Sequence, residues 1–359
     1  MRTRNKALLV LAVFTLIATA CSGTGTTTTT AAQGTTTTAA AMPGEGITIG
    51  MAYDIGGRGD KSFNDSAAAG LDQAVADFGI STQELEPTSG GENREENLRT
   101  LAEAGTPLVF AIGFAFADGV GSTAPDFPGI DFAIVDDSSV VEPNVASLTF
   151  AEEQGSFLVG AAAALKSTTG KIGFVGGVEV DLIKKFEAGY EAGAKAVNPD
   201  IEIQVSYLTQ PPDFSGFGDP AKGKEAALAM YQQGADVVYH AAGGSGSGVF
   251  EAAKGYSDSN DTHVWAIGVD SDQYLTAGAE LQPYILTSMM KRVNVAVYST
   301  IKDFVEGNFT SGNHVFDLKV DGVGYATSGG FIDDIVPQLE DYKAKIISGE
   351  IVVPTTPGS

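Results

Sequence analysis

Short apolar runs recur along the chain, with longer segments of helical character between them. ITIGMAYD is followed by FNDSAAAGLDQAVADFG, and PLVFAIG, FAIVDD, KIGFVGG, DVVYHAAG and VWAIGVD come after it in order. Strands that alternate with helices in this way build parallel sheets covered by helices, so the predicted fold class is α/β. Several of the strands stop on an aspartate or a glycine: Asp54, Gly113, Asp136, Gly176, Gly243 and Asp270. Open α/β sheets bind ligands beyond the carboxyl ends of their strands, which makes these positions the first place to look for a site.

The neighbourhood changes at NVASLTFAEEQGSFLVGAAAALKS, residues 144 to 167. From Glu152 onward this reads as a helix of small residues, and KIGFVGG then opens a second set of strands. The pattern predicts one lobe over 47–146 and a second over 147–287. YILTSMMKRVNVAVYSTIKDFVEG and NHVFDLKVDG read as a return to the first lobe around 290–320, while 321–359 is left without a lobe. Two parallel-sheet lobes with several crossings imply a hinge.

The amino end adds a compartment. MRTRNK, the apolar run from Ala7 to Ala20 and then Cys21 give the charged, hydrophobic, small-residue order of an export signal over 1–20. The apolar run falls short of the ~20 residues that a membrane-spanning helix needs. Cys21 is the only cysteine, which excludes an internal disulfide. Its place after the signal is similar to a bacterial lipoprotein lipobox, so Cys21 is the expected lipidation site, although Ala18 stands where leucine is usual. The alternative is a secreted protein with a free thiol. Residues 21–46, rich in threonine and nearly free of charge, are expected to be a disordered tether reaching on the order of 25 to 30 Å.

Charge and reactive groups narrow the function. Loss of Arg2, Arg4 and Lys6 with the signal moves the formal net charge from −24 to −27. Such acidity argues against nucleic acid as a partner, because phosphate binding relies on clustered Lys and Arg. For catalysis the chain offers three histidines, His240, His263 and His314. GGSGSG fails the G-x-S-x-G nucleophile pattern at Ser247, and SDSND lacks the glycine and distal glutamate of a calcium loop. No metal and no cofactor are expected.

DKSFND, FAIVD, EEQGSFLVGAAAAL, FGDPAKGKEAALAMYQQGADVVYHAAGGSGSGVFEAAK, IGVDSDQ and LTSMMKRV, in this order and spacing, resemble the basic membrane protein family of substrate-binding lipoproteins, the purine nucleoside receptors of ABC transporters. The resemblance implies the type I periplasmic-binding-protein fold. It implies that Phe63 and Phe217 sandwich a purine and that Asp270 and Lys291 hold the ribose. Asp54, Asn64 and Asp136 match the base-edge contacts, with Asp118 competing with Asp136 for one of them. It further implies a purine nucleoside ligand (inosine, guanosine or adenosine), an ABC permease partner, and a monomer anchored by lipid to the outer face of the bacterial cytoplasmic membrane.

Each residue also has a plainer role open to it. Phe63 reads equally as core, and Phe214 rivals Phe217 in the same Pro- and Gly-rich loop. Asp270 at a strand-to-helix turn is a natural cap, although a carboxylate also accepts two hydrogen bonds from a vicinal diol. Lys291 after two methionines reads as a snorkelling side chain. AAGGSGSG, with Gly243, is either a tight turn or a close backbone approach to a ligand. Two other functions stay open: the same fold on another small polar ligand such as a sugar, and an exported nucleoside hydrolase.

Overall fold

The computed structural model describes residues 41–358, so the signal, Cys21 and most of the tether lie outside the described residues. Two six-stranded sheets carry the rest. The first contains β1 (Thr48–Ala52), β2 (Ser81–Leu85), β3 (Leu108–Ile112), β4 (Asp131–Val135) and β5 (Val145–Phe150). The second contains β6 (Lys171–Val178), β7 (Glu202–Thr209), β8 (Val237–Ala241), β9 (Trp265–Asp270) and β10 (Ile285–Lys291). β11 (Gly312–Phe316) then joins the first sheet beside β5, and β12 (Val323–Tyr325) joins the second beside β10. The spatial orders are β11-β5-β4-β3-β1-β2 and β12-β10-β9-β8-β6-β7. Among the described residues only the β10–β12 pair is antiparallel.

β3 (LVFAI) and β8 (VVYHA) are buried at every position, as central parallel strands covered on both faces must be. The outer strands β2 (STQEL) and β7 (EIQVSYLT) are polar and partly exposed, which suits an edge that must not pair with another chain. The helices are α1 (Phe63–Phe78), α2 (Arg94–Glu103), α3 (Ala117–Thr123), α4 (Glu152–Lys166), α5 (Asp181–Val197), α6 (Pro220–Gln232), α7 (Gly246–Asn260), α8 (Gln273–Thr276), α9 (Val293–Val305) and α10 (Val336–Ile347).

The chain passes between the sheets at β5–α4, at β10–α9 and at β11–β12. The three passages are bonded to one another. Ala151 N–H donates to the Phe316 carbonyl at 3.1 Å, Arg292 N–H to the Gly322 carbonyl at 2.9 Å, and the Phe150 and Phe316 rings stack at 5.3 Å. This moves the sequence boundaries. β5 keeps the chain in the first sheet to Phe150 rather than 146, and β10 keeps it in the second to Lys291 rather than 287. The segment YILTSMMK, read from the sequence as part of the return, thus lies in the second sheet, and the return begins at α9, whose Asn294 N–H reaches Ser66 Oγ on α1. After β12, α10 sets Tyr342 edge-on to Phe157 of α4 at 5.4 Å, which places the carboxyl end on the second lobe.

α4 and α5 cross with almost no side chain between them. A Cβ at Gly193 would stand 1.9 Å from the Phe157 carbonyl oxygen, whereas one at Gly255 of α7 would meet nothing within 4 Å. Gly193→Ala should therefore lower stability by ~1 to 3 kcal/mol, since overpacking outweighs the helix-propensity gain. Gly255→Ala should raise it by ~0.5 to 1 kcal/mol. Urea midpoints of the two variants decide the point: movement in the same direction would mean that backbone contact does not set the α4–α5 approach.

Candidate functional site

In the order β2-β1-β3 and in β7-β6-β8, successive connections leave on opposite sides of the sheet, and a crevice opens beyond the carboxyl ends at that point. The two crevices face each other across one cleft that holds about 660 Å³ of empty space, the open solvent at its mouth included.

The first-lobe wall is built on the turn after β1. Asp60 organises it, with its carboxylate accepting from the N–H groups of Ser62 (2.9 Å), Asn64 (2.9 Å) and Asp65 (3.1 Å) and so capping α1 from outside the helix. Burial pushes the Asp60 carboxyl up despite these bonds. Phe63 is thereby fixed as the first residue of α1, half-buried, with its Cε1 3.6 Å from where a Cβ on Gly113 would lie. Gly113 itself sits at φ 125°, open only to glycine. Asp54 follows β1. Its Oδ1 accepts from Ile55 N–H at 2.7 Å and from Arg94 through Nε at 2.9 Å and through Nη2.

The second-lobe wall comes from the loop after β7 and the ends of β8 and β9. The Phe217 ring lies on Gly177, where a Cβ would meet its Cδ1 at 2.5 Å, and its edge meets Phe114 at 6.4 Å. Phe214 meets the same Phe114 at 6.0 Å, so both rivals line the cleft. Gly243, at φ 53°, brings the backbone against Phe217. Asp270 ends β9 in the left-handed region at φ 66°, and Asp136 follows β4 in the same conformation at φ 70°. Aspartate tolerates this better than most side chains.

Between the walls stands Lys291, 2 % exposed at the end of β10. Its ammonium bonds Asp136 Oδ2, lies 3.6 Å from Glu152 Oε1, and faces the rings of Phe63, Phe150 and Phe186 at 5.0, 5.1 and 5.6 Å. Burial pulls its pKa down, but Asp136, Glu152 and Asp270 outweigh burial and the net shift is upward. Burial likewise raises the Glu152 carboxyl to about 7 and Asp270 to about 6, with Lys291 opposing both. The lobes also touch directly. Ser62 Oγ donates to Asp270 Oδ2 at 2.5 Å, and Gln273 Nε2 to the Lys61 carbonyl at 3.0 Å.

Of the residues singled out in the sequence, Asp54, Phe63, Asn64, Asp136, Phe217, Gly243, Asp270 and Lys291 line this cleft. Asp118 does not. It is exposed on the first turn of α3, where a carboxylate favours the helix dipole, and Asp136 is the one that turns inward. Asn64 lines the cleft but has little left to offer a ligand: its Oδ1 accepts from Asp54 N–H, and its Nδ2 donates to Asp60 Oδ2 and to the Ile55 carbonyl. Lys291 does not snorkel. Arg94, Phe114, Leu182, Ile183 and Phe186 also line the cleft and went unread in the sequence. The aromatic of GFAFADG, just after a strand end, was the one signal that pointed to Phe114. None of the three histidines lines the cleft, and among the described residues no group of three or more His, Cys, Asp or Glu is placed to hold a metal. No helix of the described residues is long and apolar enough to cross a membrane.

Comparison with known proteins agrees with this geometry. The model of the family described as "ABC transporter substrate-binding protein PnrA-like" matches residues 47–357. The CD4+ T-cell-stimulating antigen of Listeria monocytogenes is 38 % identical over 87 % of this chain and 89 % of its own length. The ABC transporter nucleoside-binding protein BmpA of Lactococcus lactis is 36 % identical over 86 % of this chain and 89 % of its own. Among solved structures, an ABC transporter solute-binding protein from Aeropyrum pernix superposes with a TM-score of 0.75 at 31 % identity, covering 86 % of this chain and 94 % of that one. The two lobes with three passages are the type I periplasmic-binding-protein fold, and the chain belongs to the PnrA-like family of substrate-binding proteins of ABC transporters.

Proposed function

We propose that the protein captures a purine nucleoside between its lobes and delivers it to an ABC permease, performing no chemistry on it. The observation that carries this reading is the pairing of Phe63 from the first lobe and Phe217 from the second on one cleft that Asp136, Asp270 and Lys291 also line. Flat aromatic walls suit a base, and stacking contributes ~1 to 3 kcal/mol per base. Carboxylates and an ammonium suit the hydroxyls of a ribose. The Lactococcus lactis relative is named as nucleoside-binding, which supports the same ligand here. Asp270 and Lys291 hold the sugar and Asp54 faces the base edge, while Asp136, expected at the base edge, is assigned to the sugar instead because it is bonded to Lys291. Closure buries the ligand and presents both lobes to the permease. The protein acts as a monomer, held by lipid on Cys21 at the outer face of the bacterial cytoplasmic membrane.

Inosine, guanosine or adenosine at a hundredfold excess over Kd should raise the melting temperature by roughly 5 °C, from ~2.7 kcal/mol of linkage. Free ribose lacks the stacking face, and a nucleotide brings phosphate into an acidic cleft, so neither should shift it comparably. Equal stabilisation by ribose would point to a sugar receptor. Loss of nucleoside to base and ribose in the same tube would make the protein a hydrolase.

A further inference from the structure

Arg94 enters the base end of the cleft from the first turn of α2, with its side chain 14 % exposed against 15 % for Asp54. It is not a solvated helix arginine. Its guanidinium lies over Phe116 at 5.9 Å and Phe214 at 5.7 Å, and a Cβ on Gly91 would stand 2.8 Å from Nη1. Both Nε and Nη2 go to the same Asp54 oxygen, Oδ1, which Ile55 N–H also bonds. Oδ1 is thereby saturated. Oδ2 is left on the Gly113 side, 3.0 Å from where a Cβ there would lie. The neighbouring Asn64 amide is spent within the wall. The base end therefore offers one fixed carboxylate acceptor beside one fixed guanidinium.

We propose that Arg94, by fixing Asp54 and by supplying the donor beside it, makes the cleft selective for 6-oxopurine nucleosides over 6-aminopurine nucleosides. This rests on the nucleoside reading above and adds to it. A 6-oxopurine presents an N1–H donor next to an O6 acceptor, which complements an acceptor held beside a donor. Adenine presents the reverse order, so its N1 lone pair faces the Asp54 carboxylate. A carboxylate only accepts, and a site built to bond a group rejects the analogue lacking it far more strongly than an apolar pocket does. Without Arg94 the Asp54 carboxylate would keep only the Ile55 N–H bond and would lose the adjacent donor, and the order that distinguishes the two base types would be gone.

The test is calorimetry of inosine, adenosine and 1-methylinosine with the wild-type protein, Arg94→Met and Arg94→Gln, after circular dichroism shows each variant folded. The wild type should bind inosine at least ~10-fold more tightly than adenosine or 1-methylinosine. Arg94→Met should bring both ratios to within ~3-fold, chiefly by weakening inosine. Arg94→Gln, which keeps neutral donors near Asp54, should fall between, and it carries the test if the methionine variant does not fold. An unchanged inosine-to-adenosine ratio in the folded variants, or a wild type that prefers adenosine, overturns the role of Arg94 and leaves the nucleoside reading standing. A wild type that binds none of the three overturns both.

Discussion

Phe63→Ala is expected to weaken every accepted purine nucleoside by a similar ~1 to 3 kcal/mol, because stacking is indifferent to the groups on the base edge. The position of the ring decides against a purely structural role. Phe63 is the first residue of α1, half-buried, and it lines the cleft while touching the core only at its margin. Fully buried phenylalanines such as Phe110 and Phe132 hold the sheet and should cost ~3 to 5 kcal/mol of folding stability on truncation. Phe63→Ala should cost clearly less stability than either. Asp270→Ala provides the contrast. If Asp270 takes the ribose diol, its removal should erase the preference for a nucleoside over its 2′,3′-dideoxy analogue, a preference that Phe63→Ala should leave intact. Calorimetry with both ligands on both variants gives the four affinities. A Phe63→Ala protein with normal affinity and a badly lowered melting temperature would return Phe63 to the core.

What the sequence revealed of this cleft, and what it hid, follows from how far each signal reaches along the chain. An aspartate closing an apolar run, or an aromatic set among glycines, is visible within a few residues, and Asp54, Asp136, Asp270, Phe63 and Phe217 all announce themselves that way. Arg94 gives no such sign. ENREENLR looks like a solvated helix face, and only the β1–β3 pairing brings Arg94 to Asp54, 40 residues away. Glu152 reads as an ordinary acidic residue in the first turn of a helix, until the passage out of β5 buries it against Lys291. Asp118 misled for the opposite reason: the sequence offers it as a rival to Asp136, but it is exposed on the first turn of α3 and does not line the cleft. The lobe boundaries slipped by about four residues because β5 and β10 continue through the hinge with no change of composition.

Lys291→Met should destabilise the ligand-free protein much more at pH 8 than at pH 5. Lys291 is the cation shared by Asp136 and Glu152, and its charge also opposes the upward shift of Asp270. Both Glu152 oxygens are buried without a hydrogen bond and have only the Lys291 and Lys185 ammonium groups, at 3.6 and 3.5 Å, to offset their charge. Burial raises Glu152 from 4.5 to about 7 and Asp270 from 3.8 to about 6. A carboxyl raised by folding contributes stability that is fully present below its unfolded pKa and is lost as pH climbs through the folded value. For these two groups that window runs from pH 3.8 to about 7. Removing the cation pushes both values higher. At pH 5 the two carboxyls then hold their protons, and methionine packs against Phe63, Phe150 and Phe186. At pH 8 they must either ionise, with only Lys185 left near Glu152, or keep protons against the solvent, and breaking a buried pair in this way costs ~3 to 5 kcal/mol. Urea unfolding of variant and wild type at the two pH values gives the difference directly, because groups outside the cluster cancel. An equal loss at both would mean that packing rather than charge holds the hinge. A gain at pH 8 would mean that an apolar side chain serves this hinge better than the ion cluster does, so that Lys291 is retained for the ligand and not for the fold.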